Sequence, residues 1–272
     1  MGATPERGRE LPERLVAGGA TMLAASVLMD SAMEHYRGSF RNPAMVLPIA
    51  ASALSLGING RASAGTAPAG RAGPVHGAAA AIGAIGLGFH AYNITRRPGR
   101  ISFTNLFYGA PVGAPAALIL SGAIGAAADG LGRGGKAGPV PLKSGRAIGA
   151  LAAGGIAGTV GEAGLLHFRG AFHDPAMWLP IALPPLAAAA LARDAADGTA
   201  RPLTAGLLGA TAVLGVVGVG LHSWGVARNM GGWRNWRQNI LAGPPIPAPP
   251  AFTGLAIAGL GAWLLMRRRR NG

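Results

Sequence analysis

Four histidines occur as two matched pairs, and their side chains are the best candidates for chemistry in this chain. His35 and His167 lie in the segments MEHYRGSFRNPAMVLPIA and LLHFRGAFHDPAMWLPIA, which are identical at 11 of 18 positions and 132 residues apart. The same offset relates His90 in GLGFHAYN to His222 in GVGLHSWG. Neutral imidazole is a common ligand of haem iron and of other metal ions. The repetition predicts that whatever one half of the chain binds, the other half binds too.

Glycines and arginines are repeated together with the histidines. Glycines precede the second histidine of each pair by four and seven residues, which places all three on one face of a helix and would let a flat macrocycle lie against the backbone. An arginine follows the first histidine of each pair by two residues, where it could bind a haem propionate through charge-assisted hydrogen bonds. Besides the four histidines, the candidate cofactor contacts are therefore Gly83, Gly86, Gly215, Gly218, Arg37 and Arg169.

Three carboxylates form a second group of candidates. Asp30 and Glu162 are equivalent under the repeat, each five residues before its histidine, whereas Glu34 has no counterpart. Acids within an apolar segment are costly, so they usually have a function. We expect them to relay protons, for example to a quinone, or to ligate a metal. The alternative is that they form ion pairs with nearby arginines.

The composition indicates an integral membrane protein. Half of the residues are hydrophobic, 12% are charged, and 46 are glycines, which allow close helix packing in a bilayer. Several apolar runs approach the roughly 20 residues that cross a bilayer. The absence of cysteine excludes disulfides, thiolate metal sites, iron–sulfur clusters and covalent haem attachment. The net charge of +14 is spread over loops between apolar runs, so we do not expect nucleic-acid binding.

The fold class predicted from this pattern is an all-α integral membrane protein with about eight transmembrane helices. They would form two parallel four-helix repeats, related by a pseudo-twofold axis along the membrane normal because each repeat has an even number of spans. The predicted spans are 14–36, 43–59, 77–95, 109–128, 147–168, 175–192, 203–227 and 250–266. The predicted organisation is a cytoplasmic tail at 1–13, repeats at 14–129 and 147–266, a linker at 130–146 and a basic tail at 267–272.

The distribution of basic residues predicts the orientation. With both termini in the cytoplasm, 15 of the 24 basic residues lie on the inner side, which fits the positive-inside rule for a multi-pass protein of the cytoplasmic (inner) membrane. The four repeated histidines would then lie near the outer face. The other nine residues, all on the outer side, are Arg37, Arg41, Arg96, Arg97, Arg100, Arg169, Arg228, Arg234 and Arg237.

The function expected from these features is electron transfer by a di-haem b-type membrane subunit of an oxidoreductase complex. The design resembles that of membrane cytochrome b subunits, in which paired histidines on separate spans face one another near one surface. The expected cofactors are two b haems and a quinone. The expected partners are the lipid bilayer, a soluble or peripheral redox protein at the outer face and other membrane subunits.

Other hypotheses for the same residues remain open. The histidines could ligate a chlorophyll-type pigment, or all four could bind one copper or zinc ion on the pseudo-twofold axis. The carboxylates could line the path of a transporter or channel along that axis. The chain could also be a structural or assembly subunit, in which the histidines and glycines serve helix packing.

Overall fold

The computed structural model describes residues 10–66, 70–109, 111–132 and 144–271, and these ranges contain helices and turns but no strands. Most of the predicted N-terminal tail and of the linker at 130–146 lies outside the described residues. The helices are α1 (Leu11–Arg37), α2 (Leu47–Ala64), α3 (Gly73–Thr95), α4 (Phe103–Tyr108), α5 (Gly113–Gly132), α6 (Gly145–Arg169), α7 (Leu179–Asp197), α8 (Pro202–Ala227), α9 (Trp236–Ala242) and α10 (Pro250–Asn271).

The chain is a helical, multi-pass membrane protein. Within the described residues, seven helical segments are long and apolar enough to cross a bilayer; they contain α1, α2, α5, α6, α7, α8 and α10. Helix α3 has 23 residues but is not among these seven segments. Each of the eight spans predicted from the sequence overlaps one long helix, and the count of eight membrane crossings stays a prediction.

The entry into α2 and the entry into α7 have the same local structure. Asn42 and Asp174 each accept a hydrogen bond from the backbone two residues later, at 2.9 Å, and a proline follows each of them. A 3-10 turn then leads into the α-helix. Pro48 and Pro180 therefore lie in the first turn of α2 and α7, where a missing N–H costs nothing.

Close contacts between α1 and α10 join the two halves of the chain. A Cβ atom on Gly19 would lie 2.5 Å from the carbonyl oxygen of Gly254 and 2.9 Å from the backbone nitrogen of Ala258. A Cβ on Gly261 would lie 2.8 Å from the carbonyl oxygen of Pro12. Glycine is therefore needed at these positions to let the two backbones touch, as is common in membrane bundles.

The described termini and the repeated histidines lie at opposite ends of the bundle. Glu10, before α1, forms an ion pair with Arg268 near the end of α10, so both described termini lie at the same end. His35 and His167 lie in the last turns of α1 and α6, and hydrogen bonds tie them to the starts of α2 and α7. The repeated histidines therefore share the end of the bundle opposite to the termini.

Candidate cofactor site at one end of the bundle

His35 and His167 have matching surroundings. The Nδ1 atom of His35 lies 2.6 Å from the carbonyl oxygen of Met45, and that of His167 lies 2.7 Å from the carbonyl oxygen of Met177. An aromatic ring packs edge-on against each imidazole with its centre 6.3 Å away; the rings belong to Phe40 and Phe172. The PAM segments that repeat in the sequence therefore orient the histidines through their backbone, and the methionine sulfur atoms have no part in this contact.

His90 and His222 are held in the same way by the loops before α5 and α10. The Nδ1 atom of His90 is hydrogen-bonded to the carbonyl oxygen of Pro111, and that of His222 lies 2.7 Å from the carbonyl oxygen of Pro245. These two prolines belong to the related segments GAPVGAPAAL and GPPIPAPPAF. All four histidines are half-buried.

The hydrogen bonds fix which ring nitrogen is available. A carbonyl oxygen can only accept, so Nδ1 carries the hydrogen in all four rings and donates it. In a neutral imidazole Nε2 then holds the free lone pair. A backbone partner on the other nitrogen is the usual arrangement of histidines that ligate a metal.

The second half of the chain brings its two histidines together. The ring centres of His167 and His222 are 6.4 Å apart. Two imidazoles bound through Nε2 on opposite sides of one metal ion, at metal–nitrogen distances of about 2 Å, have ring centres roughly 6 Å apart. The separation of the His167 and His222 ring centres matches that distance. In the first half, His35 and His90 are close enough to interact electrostatically.

The repeated glycines lie against neighbouring helices. A Cβ on Gly83 would be 2.8 Å from the carbonyl oxygen of Pro115, and one on Gly215 would be 2.8 Å from that of Pro249. Gly218 also contacts Pro249, whereas Gly86 is looser. These glycines let α3 approach α5 and α8 approach α10. A macrocycle over Gly83 would require α5 to move, so a role of the four glycines in cofactor binding stays a prediction.

The two candidate arginines contact groups of the protein. Arg37 forms an ion pair with Glu34, and its guanidinium also lies 3.3 Å from the carbonyl oxygen of Ile240. Arg169 lies over the rings of Phe107 and Tyr108, at 5.7 and 5.5 Å from their centres. For Glu34, the alternative that the acids form ion pairs with nearby arginines is therefore the one observed. The binding of a haem propionate by Arg37 or Arg169 stays a prediction.

The carboxylates meet where the two halves of the chain join. Glu162 on α6 accepts a hydrogen bond of 3.0 Å from the backbone N–H of Gly113, at the start of α5. A side chain at Gly113 would overlap this carboxylate. Asp30 interacts electrostatically with both Glu162 and Glu34. The sequence repeat relates Glu162 to Asp30 and Gly113 to Pro247. Proline has no backbone N–H, so Asp30 cannot accept from Pro247 the hydrogen bond that Glu162 accepts from Gly113.

The turns after α1 and α6 contain a strained backbone that the sequence did not reveal. Ser39 and Phe40 have φ angles of 57° and 46°, and Ala171 and Phe172 have 56° and 47°. Residues other than glycine rarely adopt this left-handed conformation, and it often marks functional sites. Here it places each phenylalanine against its histidine. The repeated RGSF and RGAF motifs were the signal that could have identified these aromatic residues.

Within the described residues, no group of three or more histidine, aspartate or glutamate side chains is arranged to hold a metal ion. No known protein family, curated protein or solved structure matches this chain.

Proposed function

We propose that the chain is a membrane electron-transfer subunit that binds two b haems. In this proposal it has two parallel four-span units, α1–α5 and α6–α10, with α3 as the eighth span. Each unit binds one haem through its own two histidines, His35 with His90 and His167 with His222. The observation that carries the proposal is the 6.4 Å separation of His167 and His222, whose Nδ1 atoms are both bonded to backbone carbonyls.

The pairing favours haem over a bare metal ion. Structural zinc sites use four protein ligands and catalytic ones three. A macrocycle supplies four ligands itself, so two imidazoles complete a six-coordinate iron. A chlorophyll-type pigment needs one histidine for each magnesium and would leave half of these side chains without a role.

The protein groups have three tasks in this proposal. The carbonyl oxygens of Met45, Met177, Pro111 and Pro245 fix the orientation of the imidazoles and leave Nε2 for iron. The haem, when bound, accepts and releases one electron at a time. The arginines at this end of the bundle attract an anionic redox partner. The carboxylates relay protons to a quinone; they are those of Asp30, Glu34 and Glu162. With both termini in the cytoplasm, this end faces the outside.

The histidines of the second unit provide the cleanest test. His222→Ala should lower the haem content of the purified chain from about two to about one, and His90→Ala with His222→Ala should remove both. His173→Ala is the matched control, since His173 is exposed and not repeated, and its Nδ1 atom lies 2.9 Å from the carbonyl oxygen of the nearby Gly170. Haem content is measured as the pyridine haemochrome.

The outcomes separate ligation from packing. Loss of about one haem in His222→Ala with an unchanged His173→Ala supports the assignment. If His222→Ala folds and keeps its full haem content, His222 is not a ligand and the assignment is wrong. A chain that carries no haem with any of its natural partners contradicts the electron-transfer proposal itself.

A second candidate function is transport along the seam between the two halves. It is favoured by the position of Glu162, whose carboxylate lies at the N-terminus of α5 and near Asp30. Reconstituted vesicles with a pH-sensitive dye inside would show a proton flux that Asp30→Asn abolishes. A flux that Asp30→Asn leaves unchanged would contradict this path.

A further inference from the structure

The loop between α3 and α4 carries three arginines within five residues. Arg96, Arg97 and Arg100 are all exposed, and they line an open cavity of about 590 Å³ along residues 95–100. No carboxylate of the described residues forms an ion pair with any of the three. Guanidinium groups so close together repel one another, so a cluster without an acidic partner favours the binding of an anion.

Hydrogen bonds hold the backbone of this loop in place. The buried Asn105 on α4 donates through Nδ2 to the carbonyl oxygen of Pro98 at 2.9 Å and to that of Arg100 at 2.7 Å. The guanidinium of Arg97 donates to the carbonyl oxygen of Tyr108, at the end of α4, at 2.9 Å. The arginines therefore extend from a fixed backbone, which reduces the entropy that a bound ligand would cost.

The loop between α8 and α9 is built in the same way. The repeat, with its two extra residues, relates Asn105 to Asn239. Asn239 is buried too, and its Nδ2 donates to the carbonyl oxygens of Met230 and Gly232 at 3.2 and 2.8 Å. The two loops therefore have one common architecture, and differences between their side chains are not needed for folding.

Arg100 occupies a backbone position at which the second loop has glycine. The φ angles of Gly99 and Arg100 are 83° and 47°, and those of their counterparts Gly231 and Gly232 are 82° and 51°. Glycine adopts this left-handed conformation freely, whereas an arginine there is strained. Strain of this kind is often found at functional sites. The side chain of Arg100 therefore serves a purpose other than shaping the loop.

The charge of the two loops differs accordingly. Arg97 corresponds to Asn229, and Arg100 to Gly232, whereas Arg96 is matched by Arg228. Two of the three positive charges thus occur in the first half only. The cluster is a feature of this one loop.

A stripe of exposed apolar side chains on α3 leads to the cluster. Ile85, Phe89 and Tyr92 are 54–60% exposed, and their spacing places them on one face of the helix. Arg96 follows one turn later on the same face, and its guanidinium lies over the ring of Tyr92, 5.6 Å from the ring centre. Apolar surface and positive charge are therefore continuous along this face.

Apolar side chains also follow the loop on its other side. Ile101 is 75% exposed and Phe103 is 65% exposed. Exposed aromatic and basic residues at one end of an apolar bundle are typical of the interface at which lipid headgroups meet acyl chains. A ligand of this loop would thus contact positive charge and apolar surface at once.

We propose that Arg96, Arg97 and Arg100 bind the phosphate group of an anionic phospholipid, whose acyl chains lie along the exposed stripe of α3. Arginine is well suited to phosphate because its planar group can donate two parallel hydrogen bonds. A lipid fits this place better than a soluble anion does, since the apolar surface continues directly from the arginines. The arginines outside this loop keep the partner-binding role described under the proposed function.

Native mass spectrometry of the purified full-length chain tests this site. Dioleoyl-phosphatidylglycerol and dioleoyl-phosphatidylcholine are titrated separately; their acyl chains are the same, and only the first has a net negative charge. The wild type should bind at least one phosphatidylglycerol more tightly than phosphatidylcholine. Arg100→Gly and Arg97→Asn, which introduce the residues of the second loop, should each weaken phosphatidylglycerol binding about tenfold, because a hydrogen bond between charged groups is lost.

Two controls separate lipid binding from folding and from charge alone. Arg100→Gly should melt near the wild-type temperature in detergent without added lipid, because glycine adopts the φ angle of 47° without strain. Arg228→Gln removes one positive charge at the matching position of the second loop and should leave the affinity for phosphatidylglycerol unchanged.

Four outcomes would overturn the proposal. The first is equal binding of the two lipids by the wild type, and the second is wild-type affinity for phosphatidylglycerol in both Arg100→Gly and Arg97→Asn. The third is displacement of phosphatidylglycerol by an equal concentration of inorganic phosphate, which would show a site for a free anion. The fourth is binding of poly-glutamate to the wild type without binding of phosphatidylglycerol, which would show that the loop receives an acidic protein.

Discussion

The contact between α1 and α10 can be tested at Gly19. In Gly19→Ala the added Cβ would lie 2.5 Å from the carbonyl oxygen of Gly254, 2.6 Å from Cβ of Ala258 and 2.9 Å from the backbone nitrogen of Ala258. Two of these neighbours are backbone atoms, which cannot rotate away, so the helices must separate along their contact. Overpacking of this kind costs about 1–3 kcal/mol, and the rigid neighbours place Gly19→Ala toward the upper end of that range.

Equilibrium unfolding in mixed micelles of mild detergent and SDS measures this cost. The matched control is Gly154→Ala on α6, where a Cβ would have no neighbour within 4 Å. This variant should unfold at the same or a slightly higher SDS fraction, because alanine favours helix over glycine by up to about 1 kcal/mol. If Gly19→Ala unfolds together with Gly154→Ala, the two halves are not joined through α1 and α10 as described.

Two further predictions concern helix ends. Asn42→Ala and Asp174→Ala should each lower the free energy of unfolding by about 1 kcal/mol, because each removes a helix cap. Asn42→Asp and Asp174→Asn keep a capping oxygen and should be nearly neutral in the same unfolding assay. Unequal responses of the two sites would contradict their equivalence. Arg201 bonds to Asp197 and to the buried Asp194 at 2.6 Å each, and these bonds raise the pKa of its guanidinium. Arg201→Met should therefore destabilise the chain by more than Arg193→Met, because the Arg193 side chain is 72% exposed; equal melting temperatures of the two variants would refute this.

Much of the helix pattern could be predicted from the sequence. Apolar runs and the repeat located all eight long helices. The spans predicted at 43–59 and 175–192 begin where the turns before α2 and α7 begin. The short helices α4 and α9 were missed because runs of six and seven residues carry too little periodicity to stand out from a loop. The α-helices α2 and α7 begin later than the predicted spans, because a 3-10 turn shifts their starts to Leu47 and Leu179.

The candidate site could be predicted only as a list of side chains. The repeat pointed to the histidines and acids, but the histidines bond to backbone carbonyls and Glu162 to a backbone N–H, and backbone groups carry no sequence signal of their own. The contact between Glu162 and Gly113 crosses from one half to the other, so it depends on packing that no local pattern encodes.

The most direct test of the central claim is the reduced-minus-oxidised absorption spectrum of the purified wild-type chain, with its haem quantified per polypeptide. The proposed pairs of axial histidines predict a low-spin b-type spectrum and about two haems per chain. A chain purified with its natural partners that shows no haem band would contradict the assignment of His35, His90, His167 and His222 as haem ligands.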